Sequence, residues 1–172
     1  VDRGEAFLVR GKAIRFTAPF IQQEFQLRPR VEMALQKIQA MGFLRILVTN
    51  QPDVAYGLIT PEDFAAMMAE TRALSLDDLF VCPHTREEGC VCKKPKPGML
   101  LDAMEKWNID VSRSYMVGDT ENDMRAGKAA GCTTVLVQQP YNQNIAADLY
   151  AQDLFDAVER IAQHKDSLST IL

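Results

Sequence analysis

The chain has 172 residues and a mass of 19.3 kDa, with 47% hydrophobic and 24% charged residues, a length and balance that suit one domain over positions 1–172 with a sizeable core and exclude disordered, collagenous and disulfide-scaffold classes. A net charge of −4 without a basic stripe argues against a nucleic-acid partner, yet local charge can still oppose the total and receive a small anionic substrate. No apolar run approaches the roughly 18 residues of a membrane span, and Val1-Asp2-Arg3-Gly4-Glu5 lacks the pattern of a secretion signal, so the expected state is a cytoplasmic monomer without a membrane partner.

Ala6–Val9 is the first strand candidate. Arg30–Ala40 then places Val31, Ala34, Leu35 and Ile38 on one face of a helix that stops at Met41-Gly42. Leu44–Val48 reads as a strand, and Thr60-Pro61-Glu62-Asp63 opens a helix with a capping threonine, a proline at the first position and early acids. Asp78–Val81, Ser114–Val117 and Thr134–Val137 are further strands, and Pro97–Trp107, Glu121–Ala130 and Asp153–His164 are further helices. This alternation predicts a three-layer αβα, Rossmann-like fold on a mostly parallel sheet. In such a sheet ligands bind beyond the carboxyl ends of the strands. Thr49-Asn50-Gln51, a Cys/His cluster and Gly118-Asp119 all fall at those ends.

Cys82-Pro83-His84 and Cys90-Val91-Cys92 supply three thiolates and one imidazole, a full tetrahedral shell for structural zinc with no open position for catalysis. Crowding three cysteines into this segment fits a metal site in a reducing compartment better than a disulfide framework. Cys132 reads as a small buried hydrophobe, and His164 as a solvent-facing residue of the last helix. A hydroxyl and a backbone N–H at Thr49-Asn50 can grip phosphoryl oxygens, and Lys94 can add a fixed positive charge. Asp119 and Asp123 offer hard oxygens suited to magnesium.

Leu47-Val48-Thr49-Asn50-Gln51, the cluster running on into Lys93-Lys94-Pro95-Lys96-Pro97-Gly98-Met99, and Met116-Val117-Gly118-Asp119-Thr120-Glu121-Asn122-Asp123-Met124 resemble three successive signatures of the haloacid dehalogenase (HAD) phosphatases. The likeness is to the small branch without a large cap domain that includes heptose bisphosphate phosphatases and histidinol-phosphate phosphatase domains. It implies a magnesium-dependent phosphomonoesterase of carbohydrate metabolism. The expected substrate is a small phosphorylated metabolite, first D,D-heptose 1,7-bisphosphate cleaved on its anomeric side and second histidinol phosphate. By the same resemblance Thr49 and Asn50 bind phosphate, Lys94 links phosphate and nucleophile, Lys93 contacts substrate, and Asp119, supported by Asp123, holds magnesium. The branch usually carries arginine where this chain has Lys93, and lysine cannot make a planar bidentate grip on a second phosphate.

The family's first strand ends in Asp-x-Asp-Gly, whose aspartates attack phosphorus and protonate the leaving group. This chain has no Asp-x-Asp near its start, and two placements of the motif are open. In one, Asp2 is the nucleophile and a magnesium ligand, Gly4 replaces the acid, and residues upstream of Val1 complete the strand. In the other, Glu5–Val9 is the strand, and Val9 stands where the nucleophile belongs, giving a catalytically impaired domain that binds a ligand. Either placement lacks the general acid, whose contribution is typically 10²–10⁴ in rate.

Overall fold

The computed structural model describes residues 6–10, 14–15 and 26–169. Six strands, β1 (Ala6–Arg10), β4 (Leu44–Asn50), β5 (Asp78–Cys82), β6 (Tyr115–Gly118), β7 (Thr133–Val137) and β8 (Leu149–Ala151), form one sheet in the order β5-β4-β1-β6-β7-β8. Every pairing in it is parallel. Ile14–Arg15 (β2) and Gln26–Leu27 (β3) pair separately as a short antiparallel ladder. The helices are α1 (Val31–Ala40), α2 (Pro61–Arg72), α3 (Gly98–Trp107), α4 (Glu121–Ala130) and α5 (Leu154–Ser169).

Strand alternation divides the core between two faces of the sheet. Leu47 of β4 with Tyr115 and Val117 of β6 pack against Ala34 and Ile38 of α1 and Val158 and Ile161 of α5. Ile46 and Val48 with Met116 face Met99, Leu100 and Ala103 of α3 and Ala126 of α4. Burying each large aliphatic side chain of this kind stabilises the fold by roughly 1.5–3 kcal/mol, so both helical layers are fixed by β4 and β6. The α1 stripe expected from periodicity, Val31, Ala34, Leu35 and Ile38, is the buried stripe. Thr60 caps α2 as its sequence predicts, its Oγ1 accepting from the Asp63 N–H at 3.1 Å.

The expected strands are all present. The first extends one residue further, to Arg10, and three strands are additional: β2 and β3, which pair as a ladder, and β8, which pairs with β7 over three residues only. Elements this short give little periodic signal. The closing helix continues beyond His164 to Ser169, and His164 is half-buried rather than solvent-facing, because its Nδ1 lies 2.9 Å from the Tyr115 hydroxyl. Cys132 is buried as expected, and burial pushes its thiol up to about 12. No helix among the described residues is long and apolar enough to cross a membrane.

Candidate functional site

Parallel pairing carries β4 and β6 to the same edge of the sheet on either side of β1, and their terminal residues converge there. Thr49 is buried at the end of β4, and Asn50, the last residue of that strand, clamps the Lys-Pro segment in both directions. Its Oδ1 accepts from the Lys94 N–H at 3.1 Å, and its Nδ2 donates to the Lys94 carbonyl at 3.2 Å. The clamp turns Lys94 inward, where only 3% of it is exposed. Its Nζ donates to the Val48 carbonyl at 2.9 Å and pairs with Asp123 Oδ1 at 2.9 Å. A buried ammonium held by a carboxylate and a carbonyl keeps its charge in a low-dielectric place, where it attracts an anion most strongly.

Asp123 enters from α4. Its Oδ2 accepts from the N–H of Thr120 at 3.0 Å and that of Asp119 at 3.3 Å, and also from the Thr120 hydroxyl. This closes the first turn of α4 and fixes the β6–α4 loop. A side chain at position 118 would displace Asp123, since a Cβ there would lie 2.7 Å from the Asp123 Cγ. Gly118 is therefore a packing requirement of the site. Asp119 is likewise buried. The Tyr141 hydroxyl donates to its Oδ2, and Asn142 Nδ2 donates to its carbonyl at 2.8 Å and to that of Val137 at 3.0 Å. Sequence reasoning missed Tyr141 and Asn142, for which the only signal was a Pro-Tyr-Asn turn after β7.

For a hard cation, Asp119 offers a carboxylate at the sheet edge, while both oxygens of Asp123 are turned to Lys94, Asp119 and Thr120. Asp123 is thus placed behind Asp119, as a support. The end of β1 lies between these groups, with Val9 level with Leu47 and Val117 and Arg10 level with Val48. That register matches the placement in which Glu5–Val9 is the first strand. Asp2 lies outside the described residues.

The Cys/His loop stands beside this edge, after β5. The sulfurs of Cys82, Cys90 and Cys92 and Nδ1 of His84 lie 3.2–3.6 Å apart along the four contacts between them, and all four ligand atoms fall within 4.8 Å of one another. A tetrahedral ion with bonds of about 2.0–2.3 Å separates its ligands by about 3.3–3.8 Å, so the set is shaped to hold a metal. Without an ion, burial and the hydrogen bonds and charges of Cys82 and Cys90 push the Cys92 thiol up to about 12, and loading must release protons. Two lysines brace the loop. Lys93 Nζ donates to the His84 carbonyl at 2.8 Å, and Lys96 Nζ donates to the carbonyls of Gly89 and Cys90 at 2.8 and 2.7 Å. Gly98 lets α3 begin against the loop, because a Cβ there would lie 2.5 Å from the Val91 carbonyl oxygen.

Comparison with known proteins gives a consistent picture. The model of the haloacid dehalogenase-like hydrolases matches residues 4–131, a span that includes β1 and omits Asp2. The D-glycero-beta-D-manno-heptose-1,7-bisphosphate 7-phosphatase of Pasteurella multocida (strain Pm70) is 38% identical over 147 residues, 77% of this chain and 80% of its own. The Yersinia pestis protein of the same name is 37% identical over 77% of this chain and 79% of its own. Among solved structures, the D,D-heptose 1,7-bisphosphate phosphatase from B. bronchiseptica, complexed with magnesium and phosphate, superposes with a TM-score of 0.82. Its sequence is 25% identical, with 93% of this chain and 99% of the other covered.

Proposed function

The chain belongs to the haloacid dehalogenase-like hydrolases, and from that premise we propose a phosphatase acting on a heptose 1,7-bisphosphate, with magnesium at Asp119 and structural zinc in the loop 82–92. The observation that carries this reading is the buried Lys94–Asp123 pair set beside Thr49, Asn50 and Asp119 at one sheet edge. The relatives named above are 7-phosphatases, so the phosphate removed is assigned to the 7-position, and the anomeric side expected from sequence is withdrawn. A terminal phosphate on a primary carbon can enter a strand-end site that a ring-borne phosphate would meet with its bulk.

Each side chain has a part in that reaction. Thr49 and the backbone at Asn50 receive phosphoryl oxygens, and Lys94 offsets the charge that accumulates as the phosphoryl group transfers. Asp123 holds Lys94 and the β6–α4 loop in place. Bound at Asp119, magnesium would supply charge neutralisation between phosphate and an attacking carboxylate. Asp2 would be the attacking carboxylate only in the placement where it ends the first strand, which the register of β1 does not match.

The register of β1 favours a second reading, in which Val9 occupies the strand end and the domain holds a phosphate ester without cleaving it. Phosphate release from D-glycero-beta-D-manno-heptose 1,7-bisphosphate with magnesium, followed by ³¹P NMR, separates the two. The phosphatase gives heptose 1-phosphate, cleaves histidinol phosphate poorly, and loses at least about 100-fold in turnover on Asp119→Asn without losing its fold. Calorimetric binding of the bisphosphate without turnover would establish the second reading. Neither binding nor turnover would overturn both.

A further inference from the structure

A cleft of about 360 Å³ opens beside the strand-end site, with Asn50 and Lys94 among the residues that line it and Lys93, Lys96, Arg86 and Arg125 around them. Five cationic side chains in one cleft of a chain with net charge −4 create a local field opposite to the molecule's own. These cations are not equivalent. Lys94 is buried on Asp123, and Lys93 and Lys96 spend their ammonium groups on carbonyls of the metal loop. Arg86, at the loop's tip, and Arg125, one turn into α4, are exposed. Among the described residues neither guanidinium makes a hydrogen bond or ion pair. Glu87, the acid next to Arg86, lies with its carboxylate 3.3 Å from the Tyr56 hydroxyl.

We propose that Arg86 and Arg125 form a second anion grip, which holds the phosphate that is not cleaved and makes a bisphosphorylated sugar the preferred ligand over its monophosphate. This assignment rests on the phosphatase reading only for which phosphate reacts. A guanidinium presents a planar fork that matches two phosphate oxygens, as an ammonium cannot. Lys93 therefore could not replace an arginine even were it released from His84, and two arginines from neighbouring elements restore the bidentate chemistry missing at position 93. The cleft volume falls within the range of small-ligand sites, and Lys94 and both arginines line it.

The experiment compares heptose 1,7-bisphosphate with heptose 7-phosphate on the full chain. In Arg86→Gln/Arg125→Gln the ratio of kcat/KM for bisphosphate over monophosphate should fall roughly 10- to 100-fold, the worth of one to two charge-assisted bonds, with the change in KM. Arg125→Lys should restore less than half of that preference, since it returns charge without the fork. Lys128→Gln, an exposed charge change elsewhere on α4, should leave the ratio as it was. An unchanged ratio in the double variant, or full restoration by lysine, would overturn the assignment. Calorimetry on Asp119→Asn with the same two ligands reads the preference without turnover. A chain that hydrolyses nothing yet binds the bisphosphate more tightly, and loses that margin with the arginines, would sink the phosphatase reading and keep the grip.

Discussion

Around the carboxyl ends of β4 and β6, Thr49, Lys94, Asp119 and Asp123 are all buried, and Lys94, Asp119 and Asp123 are each held by protein groups from at least one other element. In the loop after β5 the chain is built differently. Val91 is 75% exposed between two half-buried cysteines, and the loop's order comes from four ligand atoms and two lysines on carbonyls. Polar groups can be held still by desolvated pairing inside a core or by an ion outside it. The first makes the site inseparable from the fold, and the second lets a wall of the cleft vary while the fold persists.

The largest effect should come from splitting the buried pair. Lys94→Met leaves the fully buried carboxylate of Asp123 without its cation, which is expected to cost about 3–5 kcal/mol in urea unfolding, with partial recovery on adding Asp123→Asn. A loss under 1 kcal/mol would mean the pair is not desolvated and the contrast with the loop is false. Stripping metal with a chelator should cost less and act locally, because binding free energy there orders a loop rather than the sheet. Protein purified without added metal should carry about one zinc per chain. After chelation the half-buried Cys90 should react first with a thiol reagent, while Cys82 and Cys132, both buried, stay protected. Loss of the sheet's cooperative transition would break the comparison.

A smaller test uses an ion pair remote from both regions. Arg45 pairs with Asp77 at 2.9 Å, and its hydrogen bond holds that carboxyl below the ordinary 3.8. A carboxyl with a lowered folded value contributes stability above its unfolded value and loses it as pH falls through the folded one. Asp77→Asn should therefore lower the thermal midpoint at pH 7 by an amount equivalent to about 1 kcal/mol or less, given the exposure of Asp77. The gap from the parent should close below about pH 4. A gap that stays constant down to pH 2 would show that the pair does not titrate as described.

Several features of the site were legible because a local rule writes them into adjacent residues. Thr49-Asn50, Gly118-Asp119 and the two Cys/His halves follow apolar runs, and a parallel sheet sends the ends of such runs to one edge. The lysines show where local reading stops. Lys93, Lys94 and Lys96 look like a single cationic run, yet Lys94 is buried on Asp123 and the other two brace the metal loop. Which ammonium turns inward depends on the Asn50 clamp, formed by a residue 44 positions away. Tyr141 reaches Asp119 across 22 positions and carried no periodic signal.

The sequence by itself determined the alternation of strands and helices, the α1 stripe, the Thr60 cap and a cluster of four Cys/His side chains that could hold a metal, since each depends on contacts a few residues apart or on side-chain chemistry alone. The tertiary structure decided what requires distant segments to meet. The register of β1 put Val9 and Arg10 at the central strand's end, and the packing of Asp123 against position 118 made glycine obligatory there. The Tyr115 hydroxyl drew His164 out of solvent, and the approach of α4 to the metal loop placed Arg86 and Arg125 around one cleft. Spacing along a chain fixes periodicity, but burial and pairing are properties of neighbours in space, and only the fold supplies those.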